Sequence, residues 1–149
     1  MTWKNTNPSD WVRETKERIQ AVHRGSVQAL AAEMTQTIPN GGRVPVKTGN
    51  LARSLLASTS GMPTTGPGPF TGGDVGPVLL TLDPGDTIWL GYQARYARRQ
   101  NWGFVGEDSL GRVYNQSGFG FVEAAVANWS QIVDRVTVEM ASTPSSGGR

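Results

Sequence analysis

The chain has no cysteine, which excludes disulfides, thiolate metal sites and cysteine nucleophiles. It has a single histidine, His23, so no histidine cluster exists to hold a metal or to supply a base to a hydroxyl nucleophile. Charged residues make up only 17% of the chain, and the 14 basic and 12 acidic residues leave a formal net charge of +2. A chain so close to neutral is not marked as a nucleic-acid binder by its charge alone. The N-terminal sequence MTWKNTN lacks the apolar core of a secretory signal. No apolar run approaches the roughly 20 residues needed to cross a bilayer. These absences lead us to expect a soluble protein made in the cytoplasm, without a metal, a cofactor or a membrane partner.

Glycine and proline are abundant instead, with 19 and 9 copies in 149 residues. That balance fits a small body carrying long irregular segments. The expected organisation is one α+β domain over residues 1–141 and a flexible tail at 142–149. Within it, a long N-terminal helix and a C-terminal helix pack on a small, mainly antiparallel sheet. Gly/Pro-rich loops are expected at 60–77 and 103–118.

The chain is organised around RVPVKTGNLARSL at 43–55. Pro45 fixes its own φ and pushes Val44 into an extended conformation, so no helix runs through this point. Thr48 has the chemistry of an N-cap for the turn that follows. Leu51 and Leu55, four residues apart, are expected to share one apolar face. Upstream, Asn7, Pro8 and Asp10 form a helix start. Val12, Ile19, Val22, Leu30, Met34 and Ile38 then recur at helical spacing, and residues 39–42 (PNGG) end the helix. Gly25 interrupts this helix and suggests a close crossing with another one. Trp3 and Trp11, near its start, are candidates for a subunit interface.

Beyond the joint, residues 55–59, 78–82 and 87–92 read as strands, the last two as an antiparallel hairpin about the turn DPGD at 83–86. Ile88 and Leu90 should share a face opposite Trp89. Phe70 is a candidate anchor of loop 60–77 on a partner. Arg95, Arg98 and Arg99 fall on a short helical stretch with Tyr96 and Trp102, so their stems either cover aromatic rings or face an acidic partner or DNA. Glu107 and Asp108 read as a solvated turn, and a closing helix is expected over 121–140. No nucleophile elbow or oriented acid–base pair is evident, and no enzymatic activity is expected.

Three segments carry a resemblance. The Pro-Val pair followed by Thr-Gly-x-Leu, a basic residue and Ser in 43–55, YARRQNWG at 96–103, and FGFVEAA at 119–125 occur in the order found in one family. The chain resembles the tail-component, or neck, proteins of long-tailed, lambda-like bacteriophages, of the minor tail protein Z type. One position departs from that pattern, since Asn101 stands where the family usually has an acidic residue. The resemblance implies a structural virion protein at the head–tail junction, in a neck, tail-completion or tail-terminator ring. Its partners would be further copies of itself in a six-fold or twelve-fold ring, the connector or stopper, and the terminator or tail-tube protein, with DNA passing through the lumen. It directs attention to Pro45, Thr48, Leu51, Arg95, Tyr96, Arg98, Arg99 and Trp102 as contact residues. The second reading, from another class, is a small nucleic-acid-binding or DNA-packaging accessory protein that uses Arg43, Lys47 and the three arginines at 95–99.

Overall fold

The structure is a computed structural model that describes residues 7–73 and 75–142. Trp3 and the tail expected at 142–149 fall outside these residues, apart from the backbone of Ser142. The fold is α+β. Its longest element, α1, spans Pro8–Thr35, about 42 Å at 1.5 Å per residue. It starts as its sequence dictates. The side chain of Asn7 accepts the Ser9 N–H at 3.2 Å, Pro8 opens the first turn, and Asp10 lies near the positive end of the dipole.

The helix stops before Ile38, which lies in a 3-10 turn (Ile38–Asn40) and is exposed. The chain then reverses and runs back beside its own helix end. Ile38 N–H donates to the Val44 carbonyl at 2.9 Å, and Val44 N–H to the Gln36 carbonyl at 3.2 Å. Gly42 makes the reversal possible, because a Cβ there would lie 2.0 Å from the Gln36 carbonyl oxygen. Val44 is fully buried as a result.

Helix α2 (Asn50–Arg53) leads directly into β1 (Leu55–Ser58). Leu51 and Leu55 are both buried but enter different clusters, so they do not share one apolar face. The strand begins immediately after α2, and the change of backbone sends its first side chain elsewhere.

The expected hairpin of 78–82 with 87–92 does not form. Residues 76–79 are a helical turn, α3 (Gly76–Leu79), and β2 (Trp89–Tyr92) pairs antiparallel with β1 instead, Leu55 opposite Tyr92 and Ser58 opposite Trp89. Short apolar runs suit either state. Here Pro77 suits the first helical turn, while Leu79 and Leu82 turn inward together, 3% and 1% exposed. Side chains of α1 hold the carbonyls of this turn: Arg24 donates to Leu79, which also accepts the Leu82 N–H, at 2.9 Å and to Leu82 at 3.1 Å, and Gln20 also donates to Leu82. The turn at 83–86 does form, with Asp86 N–H on the Asp83 carbonyl at 3.0 Å, but it joins a helix to a strand.

Helix α4 (Ala97–Trp102) follows, and then a second correction. Residues 103–118 are not an irregular loop but a second antiparallel pair, β3 (Gly103–Glu107) with β4 (Val113–Ser117). Among the described residues there are two sheets of two strands each, where a single sheet was expected. The closing helix is likewise divided, by Asn128, into α5 (Phe121–Ala127) and α6 (Trp129–Ser142). The Asn128 side chain donates to Glu33 of α1 at 3.3 Å. Helices α1 and α6 run antiparallel and cross at Gly25, where a Cβ would sit 2.8 Å from Val136 Cγ1.

Two buried clusters result. The larger joins α1, α3, β1 and α5 around Met34, Leu55 and Leu82. The smaller holds Val44, Leu51, Ala94, Ala97 and Phe121. Tyr92 packs against both, its ring edge-on to Phe121 at 5.3 Å and its hydroxyl donating to the Met34 carbonyl. Burial holds that phenol well above its ordinary pKa range.

Candidate functional site

The smaller cluster lies under the joint, and the joint is built by hydrogen bonds that fix a Gly turn. The N-cap of α2 is Gly49, with φ at 76°, rather than Thr48. Thr48 acts one residue earlier: its hydroxyl accepts the Asn50 N–H at 3.4 Å, while its carbonyl accepts from Arg53 at 2.9 Å. A left-handed turn suits glycine, which displaces the cap expected of threonine.

Asn50 is the hub. Its amide nitrogen donates to the Tyr96 hydroxyl at 3.1 Å, and its amide oxygen accepts the Phe70 N–H at 2.7 Å. Arg53 adds a bond from Nε to the Phe70 carbonyl at 3.0 Å. Phe70 is half-buried and packs on the smaller cluster, so this ring anchors its loop on the chain's own body. The same loop is tied again by the Gly66 N–H to the Gln93 carbonyl at 2.9 Å.

Beside the hub lies an open groove of about 380 Å³, lined by residues 45–51 with Tyr96 and Gln100. Pro45, Thr48, Leu51 and Tyr96 therefore meet at one place. Leu51 forms the buried floor, and Val46, Lys47, Thr48 and Tyr96 are exposed around it. The groove offers hydroxyl, amide and ammonium groups beside apolar surface, a mixture suited to a peptide-like surface.

Helix α4 supplies the adjoining face. Arg95 is exposed just before it. Arg98 lies over the Trp102 ring at 5.4 Å, and Arg99 over the Phe104 ring at 4.1 Å. Two of the three arginines thus cover aromatic rings, while their exposed heads keep positive charge at the surface. Trp102 is 63% exposed, yet its indole N–H donates to Glu123. Trp11 stands apart, 62% exposed near the start of α1.

The clasp beneath α4 went unrecognised in the sequence. Asn101 is 4% exposed; its amide nitrogen donates to both Glu123 oxygens, at 2.9 and 2.8 Å, and its amide oxygen accepts the Val122 N–H at 3.0 Å. The Glu123 carboxyl is held below its usual range by its own backbone N–H first, then by the side chains of Asn101 and Trp102, against an opposing effect of burial. The signal available in the sequence was Asn101 itself, an amide at a position where the resemblance leads one to expect an acid. At the tip of the second hairpin, Asp108 accepts the backbone and side-chain N–H groups of Arg112, the Leu110 N–H and the Tyr114 hydroxyl. These bonds, the Arg112 backbone first, hold its carboxyl below the ordinary range. Asp108 organises a turn.

Among the described residues, no group of three His, Cys, Asp or Glu side chains is placed to hold a metal ion, and no helix is long and apolar enough to cross a membrane. No protein-family model matches the chain, and no curated protein or solved structure matches it at a significant level.

Proposed function

We propose that the chain is a structural protein of a tailed-phage virion. In this reading it is a non-enzymatic ring subunit at the head–tail junction, between the connector and the tail tube. One observation carries it. The three segments that bear the resemblance, distant in sequence, pack on one cluster: Val44 and Leu51 come from the first, Ala97 from the second and Phe121 from the third. Sequence likeness in residues that build one folding unit supports a shared fold more strongly than likeness scattered over a surface.

Exposed Lys47, Thr48 and Tyr96 line the groove, and exposed Arg95, Arg98 and Trp102 lie on or just before the neighbouring helix α4; together they supply a mixed basic and aromatic face for a neighbouring subunit or protein. A ring follows if this face meets a different face of the next copy and the rotation closes. DNA in the lumen would see the surface charge of Arg95 and Arg98.

The test mixes the purified chain with the connector and tail-tube proteins of the same virus and images the products by electron microscopy. Rings, free or capping tubes or connectors, are the expected result. A chain that ignores both proteins and binds duplex DNA, with affinity falling steeply as salt rises, contradicts it and favours the DNA-packaging accessory.

A further inference from the structure

The two stretches of chain that build the groove carry no acid. Between Glu33 and Asp74, and again between Asp86 and Glu107, the sequence has no aspartate or glutamate. Every residue lining the groove belongs to one of these stretches. The same stretches hold six basic residues: Arg43, Lys47, Arg53, Arg95, Arg98 and Arg99. Among the described residues none of the six pairs with a carboxylate. The ion pairs lie elsewhere, Arg13 with Asp10 and Glu17, Arg112 with Asp108, and Arg135 with Glu139. Glu123, the acid bonded to α4, is already held by Asn101 and Trp102. The chain is near neutral as a whole, yet this end of it is positive and uncompensated.

The groove is more than a cationic patch. Lys47 is the charged side chain that lines it, beside the buried floor of Leu51 and the exposed Val46. Pro45 has no N–H to give. Among the described residues, the backbone N–H and C=O groups of Val46 and Lys47 make no hydrogen bond. One wall of the groove therefore offers both donors and acceptors. A peptide backbone matches both, whereas the phosphates of a nucleic acid offer acceptors alone. A duplex would also need a row of cations inside the groove, and Arg98 is not there. At the helical angle per residue it lies about 180° from the midpoint of Tyr96 and Gln100, on the far side of α4.

We infer that the groove takes an acidic peptide segment of a neighbouring protein. The segment lies along residues 45–48, with a carboxylate on Lys47 and an aliphatic side chain over Leu51 and Val46. Its backbone pairs with the free groups of Val46 and Lys47, while the arginines around it steer it in. The inference rests on the function proposed above for the source of the segment, and on the groove alone for its chemistry.

The probe is a short peptide alternating glutamate and valine, titrated into the isotope-labelled full chain and followed by NMR. Amide shifts should concentrate at residues 46–51, Tyr96 and Gln100, with affinity falling as salt rises. Lys47→Glu should weaken binding about tenfold or more, and should take up a peptide alternating lysine and valine instead. Arg98→Glu should cost less than Lys47→Glu. Polyglutamate should bind more weakly than the alternating peptide, because it leaves the apolar floor empty. Equal affinity for these two acidic peptides, or equal losses from the two variants, would reduce the contact to general attraction and overturn the inference. So would the absence of shifts at about 1 mM peptide, or tighter binding of duplex DNA at the same salt. Rings with the connector or tail tube that form unchanged with Lys47→Glu leave the neck reading standing and sink the groove contact. A chain that binds the peptide in the groove but ignores both phage proteins does the reverse.

Discussion

Asn101 and Glu123 are locked together by an amide that donates to both carboxylate oxygens, at 2.9 and 2.8 Å, while its own oxygen caps the Val122 N–H of α5. The pair joins α4 to α5, and the Trp102 indole closes on the same carboxylate. Only an amide both donates and accepts in this way, which gives the asparagine a physical reason to be there.

Asn101→Asp keeps the acceptor for Val122 but sets one carboxylate against another. We expect a loss of about 1–3 kcal/mol at neutral pH. Because repulsion between the two acids raises their pKa values, the deficit relative to the parent should shrink as acid protonates them. Urea unfolding of both proteins at pH 7 and near pH 5 measures this, and a deficit unchanged between the two would count against the paired-carboxylate account.

Asp108 and Glu123 both have carboxyls held below the ordinary range in the folded chain. A depressed folded pKa contributes stability above the unfolded pKa, near 4, and that contribution is lost as pH falls through the lower folded value. The second hairpin should therefore loosen below about pH 4. Amide exchange of residues 108–114 followed by NMR checks it, and Asp108→Asn should show the same loosening already at neutral pH.

Gly25→Ala tests the helix crossing. Helix propensity alone would stabilise the variant by roughly 1 kcal/mol. The added methyl meets Val136 Cγ1 at 2.8 Å, and overpacking typically costs about 1–3 kcal/mol. We expect net destabilisation, relieved when Val136→Ala is added. A double-mutant cycle in urea that showed the two changes to be additive would mean that these helices do not meet there.

Asn50→Ala removes the link among α2, the loop at Phe70 and Tyr96. Global stability should fall by about 1 kcal/mol. Limited proteolysis should report a larger local change, with cleavage inside residues 63–73 faster than in the parent. Equal cleavage rates would mean that Arg53 and the Phe70 ring hold the loop without it.

Much of the fold was legible because local chemistry and tertiary packing agree. Asn7 and Pro8 start α1, Gly25 marks the crossing, and β1 lies where its apolar run stands, although α1 ends at Thr35, before the residues 39–42 expected to stop it. The misreadings have physical causes. Residues 78–82 lack any periodicity that separates strand from helix, and the arginine that completes the helical turn lies 55 residues upstream. The second hairpin is hidden because Gly106 interrupts its inner face and Asn115 and Gln116 dilute the alternation, so Phe104 and Tyr114 pack together, at 6.0 Å, without an apolar pattern to announce it. Pro45, Thr48, Leu51 and Tyr96, each singled out in the sequence, line one groove. The polar hub of Asn50 and Arg53 was not singled out, since its partners come from three separate segments.

The central claim, a ring subunit of the head–tail junction, is tested most directly by native mass spectrometry of the full chain, alone and with the connector and tail-tube proteins of its virus. The account predicts a closed oligomer, or one that closes on adding either protein, with a single dominant copy number. A monomer at all concentrations, unchanged by both proteins, would contradict it.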